Sequence, residues 1–496
     1  MTKSLYIHLP FCSKKCRYCV FPTHIIGKNS EKDNTLFQKY LLYLKKEISF
    51  GFYLYPPISS LKTIYFGGGT PSLFSNDILK ELTDFIKNKC HIEKDYEWTL
   101  EMNPDDLANR NKNQIQIYKE MGFNRFSLGV QTFDPLYLKF MNRSHSSLES
   151  YNAIEILHSN QCNYSLDFII DLPYKKKDFL DDEIRILIQN LKPPHLSIYS
   201  LAIEPESYFS RKFNWKEGTK PLPSSDESSD NFIKTSQFLK NNGYSHYEIS
   251  SFAKEEKFES KHNNIYWHGN TNFYGFGMGA TSLLDKKRIT RPKTLKKYFD
   301  YIDKIEEFIK NLNQTVNGDS IKYEQEKDPS EPEKKIKNLL CSYSNLPEGK
   351  MKNNLNIPKF HQELDTVYLE IKKKEEDKNF NFPNILLKKE EILKKKNSIH
   401  FKGLMIEKEE GLSELKVVLM GSLRTKKGLL WNYIPSYKKE LLAFLENQIA
   451  IKKFMEIDDK GIRLKIPEGY LVCDEILGQI YSYFEKKFEL HDKIEK

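Results

Sequence analysis

The chain has 496 residues, of which 39% are hydrophobic and 29% are charged, so two or three domains with a large core can form beside polar segments. The net charge is only +9, and the basic residues form no aromatic-laced stripe, which argues against nucleic-acid binding. No run approaches the roughly 18 apolar residues of a membrane span, and the amino-terminal residues do not resemble a signal peptide.

Residues 5 to about 205 alternate between strand-like and helix-like segments. The strand-like runs are rich in β-branched and aromatic residues and lie at 4–9, 63–69, 97–103, 125–131, 164–170 and 195–203. Between them, apolar residues recur at helical spacing, most clearly at 36–48. This alternation predicts an α/β fold with a parallel sheet, which we interpret as a curved, partial (β/α)6 barrel over residues 1–205. An open doubly wound sheet is the alternative that the pattern leaves open.

Three further regions follow the predicted barrel. Residues 206–302 indicate an α+β extension with a helix near 226–242. Residues 303–412 are rich in lysine, glutamate and asparagine, which predicts a charged, low-complexity and largely disordered insertion. Residues 413–496 predict a small helical, winged-helix-like domain with a β-hairpin over 461–472.

Three of the seven cysteines lie within eight residues, as Cys12, Cys16 and Cys19. Three thiolates with C-x3-C-x2-C spacing can hold three irons of a four-iron–four-sulfur (4Fe–4S) cluster, which leaves the fourth iron open to a chelating ligand such as S-adenosylmethionine (SAM). The reduced cluster would then cleave SAM to methionine and a 5′-deoxyadenosyl radical. A structural zinc site completed by His8 or His24 is the alternative, although zinc sites more often use two separated cysteine pairs. The four scattered cysteines, Cys90, Cys162, Cys341 and Cys473, are predicted to be buried thiols.

Glycine and polar residues follow the predicted strands, where a barrel or an open α/β sheet binds ligands. The glycine turn that contains Gly68, Gly69 and Thr70 is expected to expose backbone N–H groups to a ligand. Arg143 carries a planar guanidinium that suits the SAM carboxylate. Three further polar side chains, Glu101, Gln131 and Asp167, lie at or near strand ends. We predict one SAM site built from these residues.

These motifs resemble the radical SAM family of oxygen-independent coproporphyrinogen III oxidases and their haem-chaperone relatives (HemW). The matching segments are SLYIHLPFCSKKCRYC, IYFGGGTPSLF, EMNP, RFSLGVQTF, LDFIIDLP, PPHLSIYSLAIEP and HNNIYW, and they cover roughly residues 4–300. The resemblance implies a radical SAM barrel and adds Tyr6, Tyr18 and Ala202 to the SAM contacts.

Two features favour the chaperone branch. Val20-Phe21 follows the third cysteine, where the oxidases usually carry a further cysteine. The segment HNNIYW matches the haem-binding motif of the chaperones, which implies haem contacts by His262, Tyr266 and Trp267, with the imidazole of His262 as an axial iron ligand. A satisfied surface histidine beside two core aromatic residues is the alternative. The chain departs from its relatives at Asp171, Met278 and Thr281, where glycine, cysteine and histidine are usual.

The resemblance therefore implies a haem chaperone that holds a 4Fe–4S cluster and SAM and delivers haem to acceptor haem proteins. Its other implied partner is an electron donor such as ferredoxin or flavodoxin. Whether the chain is an enzyme is left open, because an oxidase that decarboxylates coproporphyrinogen III to protoporphyrinogen IX is the alternative. A degenerate SAM fold that serves as a scaffold is a third possibility. We expect a cytoplasmic location, with the mitochondrion as the alternative if an upstream targeting segment is missing.

Overall fold

The structure is a computed structural model, and it describes residues 3–26, 30–54, 60–111, 113–174, 180–216, 221–267, 271–318, 398–401, 403–408 and 411–494. The chain divides into two compact units, one made of residues 1–299 and 403–496 and the other of residues 300–402. Most of the predicted insertion at 303–412, and Cys341 with it, lies outside the described residues.

Strands and helices alternate through the first 200 residues. In chain order these elements are β1 (Ser4–Leu9), β2 (Phe11–Cys12), β3 (His24–Ile25), α1 (Ser30–Leu54), β4 (Leu61–Gly68), α2 (Asn76–Lys89), β5 (Ile92–Met102), α3 (Pro104–Ala108), α4 (Gln114–Met121), β6 (Arg125–Gln131), α5 (Pro135–Phe140), α6 (Ser147–Ser159), β7 (Asn163–Ile170), α7 (Asp182–Asn190) and β8 (His195–Ser200). A short 3-10 helix, Pro71–Leu73, follows β4.

The next elements form the extension. They are α8 (Tyr208–Phe213), α9 (Ser225–Asn241), β9 (Ser245–Glu248), β10 (Ser251–Ala253), the 3-10 helix Glu256–Phe258, α10 (Lys261–Trp267), β11 (Tyr274–Phe276), β12 (Thr281–Leu284), β13 (Lys287–Thr290) and α11 (Leu295–Gly318). Helix α9 confirms the predicted helix, and Ser224 and Glu227 form a capping box at its start.

The main sheet has the order β11-β1-β4-β5-β6-β7-β8-β10-β9. From β11 to β8 all neighbours are parallel, and β10 and β9 extend the sheet antiparallel. Along the sheet, the six barrel strands follow one another in chain order: β1, β4, β5, β6, β7 and β8. A doubly wound sheet instead reverses its strand order at a switch point. The order therefore confirms the predicted partial barrel and excludes the doubly wound alternative.

Side chains of the barrel strands alternate between an apolar and a polar face. On β1, Leu5, Ile7 and Leu9 are buried in the core, while Tyr6 and His8 alternate with them. Helix α2 covers part of the apolar face because Ile78, Leu79, Leu82, Thr83 and Ile86 recur at helical spacing and are buried. The polar face of the strands is thereby left to line the barrel interior.

The carboxyl-terminal part combines helices with small antiparallel sheets. Its elements are β14 (Ser398–Phe401), β15 (Leu404–Lys408), α12 (Leu412–Leu423), β16 (Leu429–Leu430), α13 (Lys438–Glu446), α14 (Ile449–Lys452), β17 (Met455–Ile457), β18 (Gly461–Leu464), α15 (Glu468–Leu471) and α16 (Cys473–Ile494), with 3-10 turns at Trp431–Tyr433 and Pro435–Tyr437. Strand β15 pairs with β13, and β16, β18 and β17 form a three-stranded sheet. A winged-helix-like domain combines helices with a small antiparallel sheet, and this part of the chain contains both.

Two sequence-based boundaries differ from the structure. Helix α11 continues to Gly318, so the predicted domain boundary at residue 303 falls inside a helix. The hairpin predicted over 461–472 is wrong in its second half: β18 pairs with β17, which precedes it, and α15 follows. The hairpin turn lies at 458–460, where the carboxylate of Asp458 accepts the N–H groups of Lys460 and Gly461, both at 2.9 Å.

Candidate functional site

A cavity of about 500 Å³ opens at the carboxyl ends of the barrel strands. All three motif cysteines line it, together with nine of the ten predicted SAM contacts: Tyr18, Gly68, Gly69, Thr70, Glu101, Gln131, Arg143, Asp167 and Ala202. This volume lies within the range of small-molecule sites. Residues from the loop after β1 to the segment after β8 thus meet at one place.

Tyr6 is the predicted SAM contact that does not line the cavity. It is the register partner of Tyr65 on β4, and the two rings stack with centroids 6.0 Å apart. Its hydroxyl lies 3.0 Å from Nδ1 of His8. Tyr6 therefore packs in the barrel interior beside the cavity rather than on its wall, and a SAM contact by Tyr6 stays a prediction.

A polar group lies near the sulfur of each of the three motif cysteines. Arg143 Nη1 lies 3.2 Å from Cys16 Sγ, Thr70 Oγ1 lies 3.7 Å from Cys12 Sγ, and Lys15 Nζ lies 4.0 Å from Cys19 Sγ. Within the described part of the chain no group of three His, Cys, Asp or Glu side chains is arranged so that it could hold a metal ion. The donor set nevertheless suits a cluster that keeps one iron open, because three thiols and positive charge meet at one cavity.

Arg143 joins the cysteine loop to the strands behind it. Its Nη2 donates to Asn103 Oδ1 and to the carbonyl of Gly129, both at 2.8 Å, while Nη1 also lies 3.3 Å from the hydroxyl of Tyr18. Its buried Nε has no hydrogen-bond partner among the described residues. This unused donor suits an anionic group in the cavity such as a carboxylate, which is the SAM group that the sequence predicts for Arg143.

The glycine turn does not present its N–H groups as the sequence had suggested. Gly68 N donates to Glu101 Oε2 at 2.9 Å, Gly69 N to the carbonyl of Leu9 at 2.9 Å and Thr70 N to the carbonyl of Phe11 at 2.8 Å. That expectation was wrong, because these donors bind the turn to β5 and to the end of β1 and the start of β2. Glycine is needed here for close approach, since Gly68 has a φ of +112° and a Cβ at this position would lie 2.4 Å from the imidazole of His8.

Three polar side chains project from neighbouring strands into the cavity. Glu101 accepts the hydroxyl of Tyr65 at 2.7 Å, and Asp167 accepts those of Ser127 at 3.0 Å and Ser165 at 3.1 Å. Burial, above all, raises the pKa of both carboxyls, that of Glu101 to about 7. Gln131 lies at the end of β6 with a φ of +69°, a strained conformation of the kind that clusters at functional sites.

Sequence reasoning missed several cavity residues. Asn103 bridges Thr70 Oγ1 at 3.2 Å and Arg143, and Lys15 donates to Thr23 Oγ1 at 2.8 Å and the Phe21 carbonyl at 2.9 Å. The EMNP segment contained Asn103, so its amide beside Glu101 was the signal that could have found it.

Asp171 occupies a turn position where relatives usually have glycine. Its φ is +61°, and Asn231 Nδ2 donates to its carboxylate at 2.7 Å. Aspartate is one of the few residues other than glycine that adopt this left-handed conformation. The hydrogen bond from Asn231 explains how a non-glycine residue is held in this turn.

The predicted haem residues lie together on α10, away from the cavity lining. His262 is 1% exposed, and both of its ring nitrogens are engaged: Nδ1 lies 2.9 Å from Thr63 Oγ1 and Nε2 lies 2.9 Å from the hydroxyl of Tyr266. Its ring stacks on Tyr65 with centroids 5.0 Å apart. Burial and the nearby positive charge of Arg125 lower the pKa of His262 to about 3, so the imidazole is neutral.

The start of α10 is fixed by a carboxylate in the barrel. Glu97 on β5 accepts the backbone N–H of Lys261 at 3.0 Å and of His262 at 2.9 Å. Trp267 ends the helix half-buried, and its Nε1 has no hydrogen-bond partner among the described residues. The structure thus shows His262 as a buried histidine engaged in the barrel rather than a surface one, and iron ligation would require α10 to move.

The Glu101→Gln variant is expected to remove a pH-dependent loss of stability from the cofactor-free protein. Because the pKa of Glu101 is raised in the folded state from 4.5 to about 7, the folded protein binds this proton more tightly than the unfolded chain. Its stabilising contribution is complete below pH 4.5 and decreases as the pH rises to about 7. In urea unfolding, the stability of the variant relative to wild type should rise between pH 5 and pH 8 by at most about 3 kcal/mol.

The Glu149→Gln variant is the control for this pH dependence. Burial tends to raise the pKa of Glu149, but hydrogen bonds from Asn109 and Ser146 outweigh burial and lower it. Its contribution is therefore present above its unfolded pKa and is lost towards acid. As the pH rises to neutral, the Glu149→Gln variant should therefore lose stability relative to wild type, whereas the Glu101→Gln variant should gain it. An equal response of both variants to pH would contradict the role given to burial of Glu101.

A family model described as the Radical SAM superfamily matches residues 6–183. The chain is 33% identical over 305 residues to a protein of Synechocystis sp. named heme chaperone HemW, a match that covers 61% of this chain and 71% of that protein. It is 35% identical over 283 residues to the heme chaperone HemW of Lactococcus lactis, covering 57% of this chain and 69% of the relative.

Among solved structures, the coproporphyrinogen III oxidase HemN of Escherichia coli, described as a radical SAM enzyme, superposes with a TM-score of 0.64 at 18% identity. The superposition covers 97% of this chain and 90% of that protein, and at this identity it shows the shared fold. No helix of the described residues is long and apolar enough to cross a bilayer. Taken with the sequence identity to its relatives, the chain belongs to the radical SAM family of HemW proteins and oxygen-independent coproporphyrinogen III oxidases, whose cofactors are SAM and a 4Fe–4S cluster.

Proposed function

We propose that this chain binds haem and delivers it to haem proteins, and that it holds a 4Fe–4S cluster on Cys12, Cys16 and Cys19 with SAM in the adjacent cavity. The observation that carries the proposal is the identity of 33–35% to proteins named heme chaperones. When bound, the cluster supplies low-potential electrons, for which a ferredoxin- or flavodoxin-like donor is the expected source. The residues proposed for SAM are the nine predicted contacts that line the cavity, together with Tyr6, which packs in the barrel interior beside it.

We infer that His262 is the axial ligand of the haem iron in an opened conformation. A neutral imidazole is a suitable iron ligand, but in the described conformation its two nitrogens are held by Thr63 and Tyr266. Tyr266 is 37% exposed, so this end of α10 is accessible at the surface. Haem binding at His262 therefore competes with the two hydrogen bonds that keep its ring in the barrel.

Haem titration should give opposite results for two substitutions in this contact. His262→Ala removes the ligand and should weaken haem binding at least about tenfold, whereas Thr63→Val removes a hydrogen bond that holds the ring inward and should strengthen it by up to about fivefold. The His246→Ala variant is the control, because His246 is also buried and bonded through both nitrogens, to Ser236 Oγ at 2.9 Å and the Ile249 carbonyl at 3.2 Å. Unchanged affinity in His262→Ala would show that the ligand is another residue.

An activity assay distinguishes the haem-chaperone proposal from the coproporphyrinogen oxidase alternative. Anaerobically reconstituted protein with dithionite and SAM should release no vinyl product from coproporphyrinogen III. Conversion to protoporphyrinogen IX would overturn the chaperone proposal. Transfer of bound haem to a haem-free acceptor protein, followed by its absorbance, is the positive result that the proposal requires.

A further inference from the structure

An exposed group of aromatic side chains lies next to the cysteine loop, and we call Tyr174, Tyr208, Phe213 and Trp215 the aromatic shelf. Tyr174 is 77% exposed, Phe213 42% and Tyr208 39%, and Trp215 is half-buried. Exposed aromatic side chains that lie together, rather than singly, indicate an interaction surface or a ligand-binding site. Neither the cysteine motif nor the HNNIYW segment accounts for them.

The rings of the shelf form a connected set. Phe213 stacks on Trp215 with centroids 4.9 Å apart and an angle of 24° between their planes, while Tyr174 meets Trp215 edge-on at 6.4 Å and Tyr208 meets Phe213 at 6.0 Å. Behind them, the fully buried Phe209 lies 5.1 Å from Trp215. Phe209 belongs to a buried apolar cluster, so the shelf rests on a packed core. The other members of that cluster are Met141, Ile169, Leu172, Leu201 and Leu222.

Positive charge borders the shelf. Residues 208–216 include Arg211, Lys212 and Lys216 and contain no carboxylate, while the exposed Glu204 and Glu206 precede Tyr208 in the chain. Arg211 and Lys212 are exposed and lie three and four residues after Tyr208, on the same side of α8. On the other side, the guanidinium of Arg17 lies 5.4 Å from the centroid of Tyr208.

The shelf is attached to the loop that carries the cysteines. The backbone N–H of Tyr208 donates to the carbonyl of Arg17 at 3.0 Å, and Arg17 lies between Cys16 and Tyr18 in the sequence. Arg17 Nη1 also donates to the carbonyl of Phe140 at 2.8 Å. The shelf therefore lies on the same side of the barrel as the cavity, whereas His262 contacts the amino-terminal part of β4 through Thr63.

We propose that the aromatic shelf binds the face of a haem or porphyrin, with the propionates paired to Arg211 and Lys212. A planar tetrapyrrole with two carboxylates at one edge matches a stacked aromatic surface with cations along its border. This inference rests on the proposed haem-binding function. Because ring stacking and propionate pairing do not need the metal, the shelf is a porphyrin site separate from the iron site at His262, and it binds metal-free protoporphyrin IX as well as haem.

Equilibrium titrations of the full chain with protoporphyrin IX and with ferric haem test the shelf. The Tyr174→Ser/Phe213→Ser double variant changes exposed rings and should weaken protoporphyrin binding about tenfold, and Arg211→Glu/Lys212→Glu should weaken it to a similar extent. Tyr151→Ser is the matched control, since Tyr151 is an aromatic residue on α6 that is also 42% exposed. Tyr151→Ser should bind protoporphyrin IX with the wild-type affinity. His262→Ala should also bind protoporphyrin IX with the wild-type affinity, because this ligand contains no iron.

Failure of the shelf proposal and failure of the proposed haem-binding function give different results in these titrations. If wild type binds haem but both shelf variants keep the wild-type affinity for protoporphyrin IX, the shelf is not the site and haem binding stands. If wild type binds neither porphyrin, the proposed function fails, and the shelf fails with it. Loss of binding in Tyr151→Ser to the same extent as in the double variant would show nonspecific adsorption and would also overturn the shelf.

Discussion

Replacing Cys16 with alanine is expected to abolish binding of the iron–sulfur cluster. Two thiolates cannot hold three irons, and Cys16 is the cysteine that Arg143 Nη1 approaches to 3.2 Å, so its loss also removes one of the contacts between the loop and Arg143. After anaerobic reconstitution, iron and acid-labile sulfide should fall to background, and the brown absorbance of the cluster should disappear. SAM binding measured by equilibrium dialysis should weaken with it, because the open iron is lost.

The Cys162→Ala variant provides the control for Cys16→Ala. Cys162 is 7% exposed, precedes β7 and does not line the cavity, so its loss should leave iron and sulfide content unchanged. Wild-type iron and sulfide in Cys16→Ala would disprove the cluster assignment. Stoichiometric zinc in place of iron in the wild-type protein would instead favour the structural zinc alternative.

Much of the fold could be predicted because its signals are local. Each strand is a short β-branched and aromatic run, and helices between strands repeat apolar residues at a spacing that a single segment reveals. The cavity was predictable for the same reason, since the carboxyl ends of parallel strands meet, and Gly68, Glu101 and Gln131 each lie at the end of such a strand. Once the strands were expected to be parallel neighbours, these three residues could be predicted to lie close together.

The state of His262 could not be predicted from its motif. The segment HNNIYW shows a histidine beside two aromatic residues, but its ring is held by Thr63, which is 199 positions away in the chain, and its helix is capped by Glu97. The same limit applies to the glycine turn, whose N–H groups are used by Leu9 and Phe11. Hydrogen-bond partners that are distant in sequence decide whether a polar group is available to a ligand, and no local pattern records them.

The error at 461–472 has a local cause. The segment contains Pro467, which has no N–H to donate to a sheet, and Glu468–Leu471 form a helical turn after it. The strand that forms the hairpin with β18 is the short segment Met455–Ile457, whose three residues give too weak an alternation to be recognised from the sequence alone.

Replacing Glu47 with alanine is expected to destabilise the protein by about 3–5 kcal/mol, the usual cost of leaving one partner of a buried ion pair uncompensated. Glu47 Oε1 accepts Arg291 Nε at 2.7 Å, and each side chain is only 1% exposed. Glu47 Oε2 accepts the N–H of Gly277 at 2.8 Å and the hydroxyl of Tyr298 at 2.7 Å. The carboxylate thus joins α1 to the segment after β11, the strand that lies beside β1 in the sheet.

Urea unfolding of Glu47→Ala beside two further variants tests whether the buried charge is the cause. Glu81→Ala breaks the more exposed pair with Lys45, whose atoms lie 2.8 Å apart, and should cost less than about 1 kcal/mol. The Glu47→Leu/Arg291→Met double variant removes both charges and should recover most of the stability lost in Glu47→Ala, because no unpaired guanidinium remains buried. If Glu47→Ala costs no more than Glu81→Ala, the ion pair does not stabilise this edge of the barrel. If the double variant is as unstable as Glu47→Ala, the loss comes from the hydrogen bonds to Gly277 and Tyr298 rather than from the charge left on Arg291.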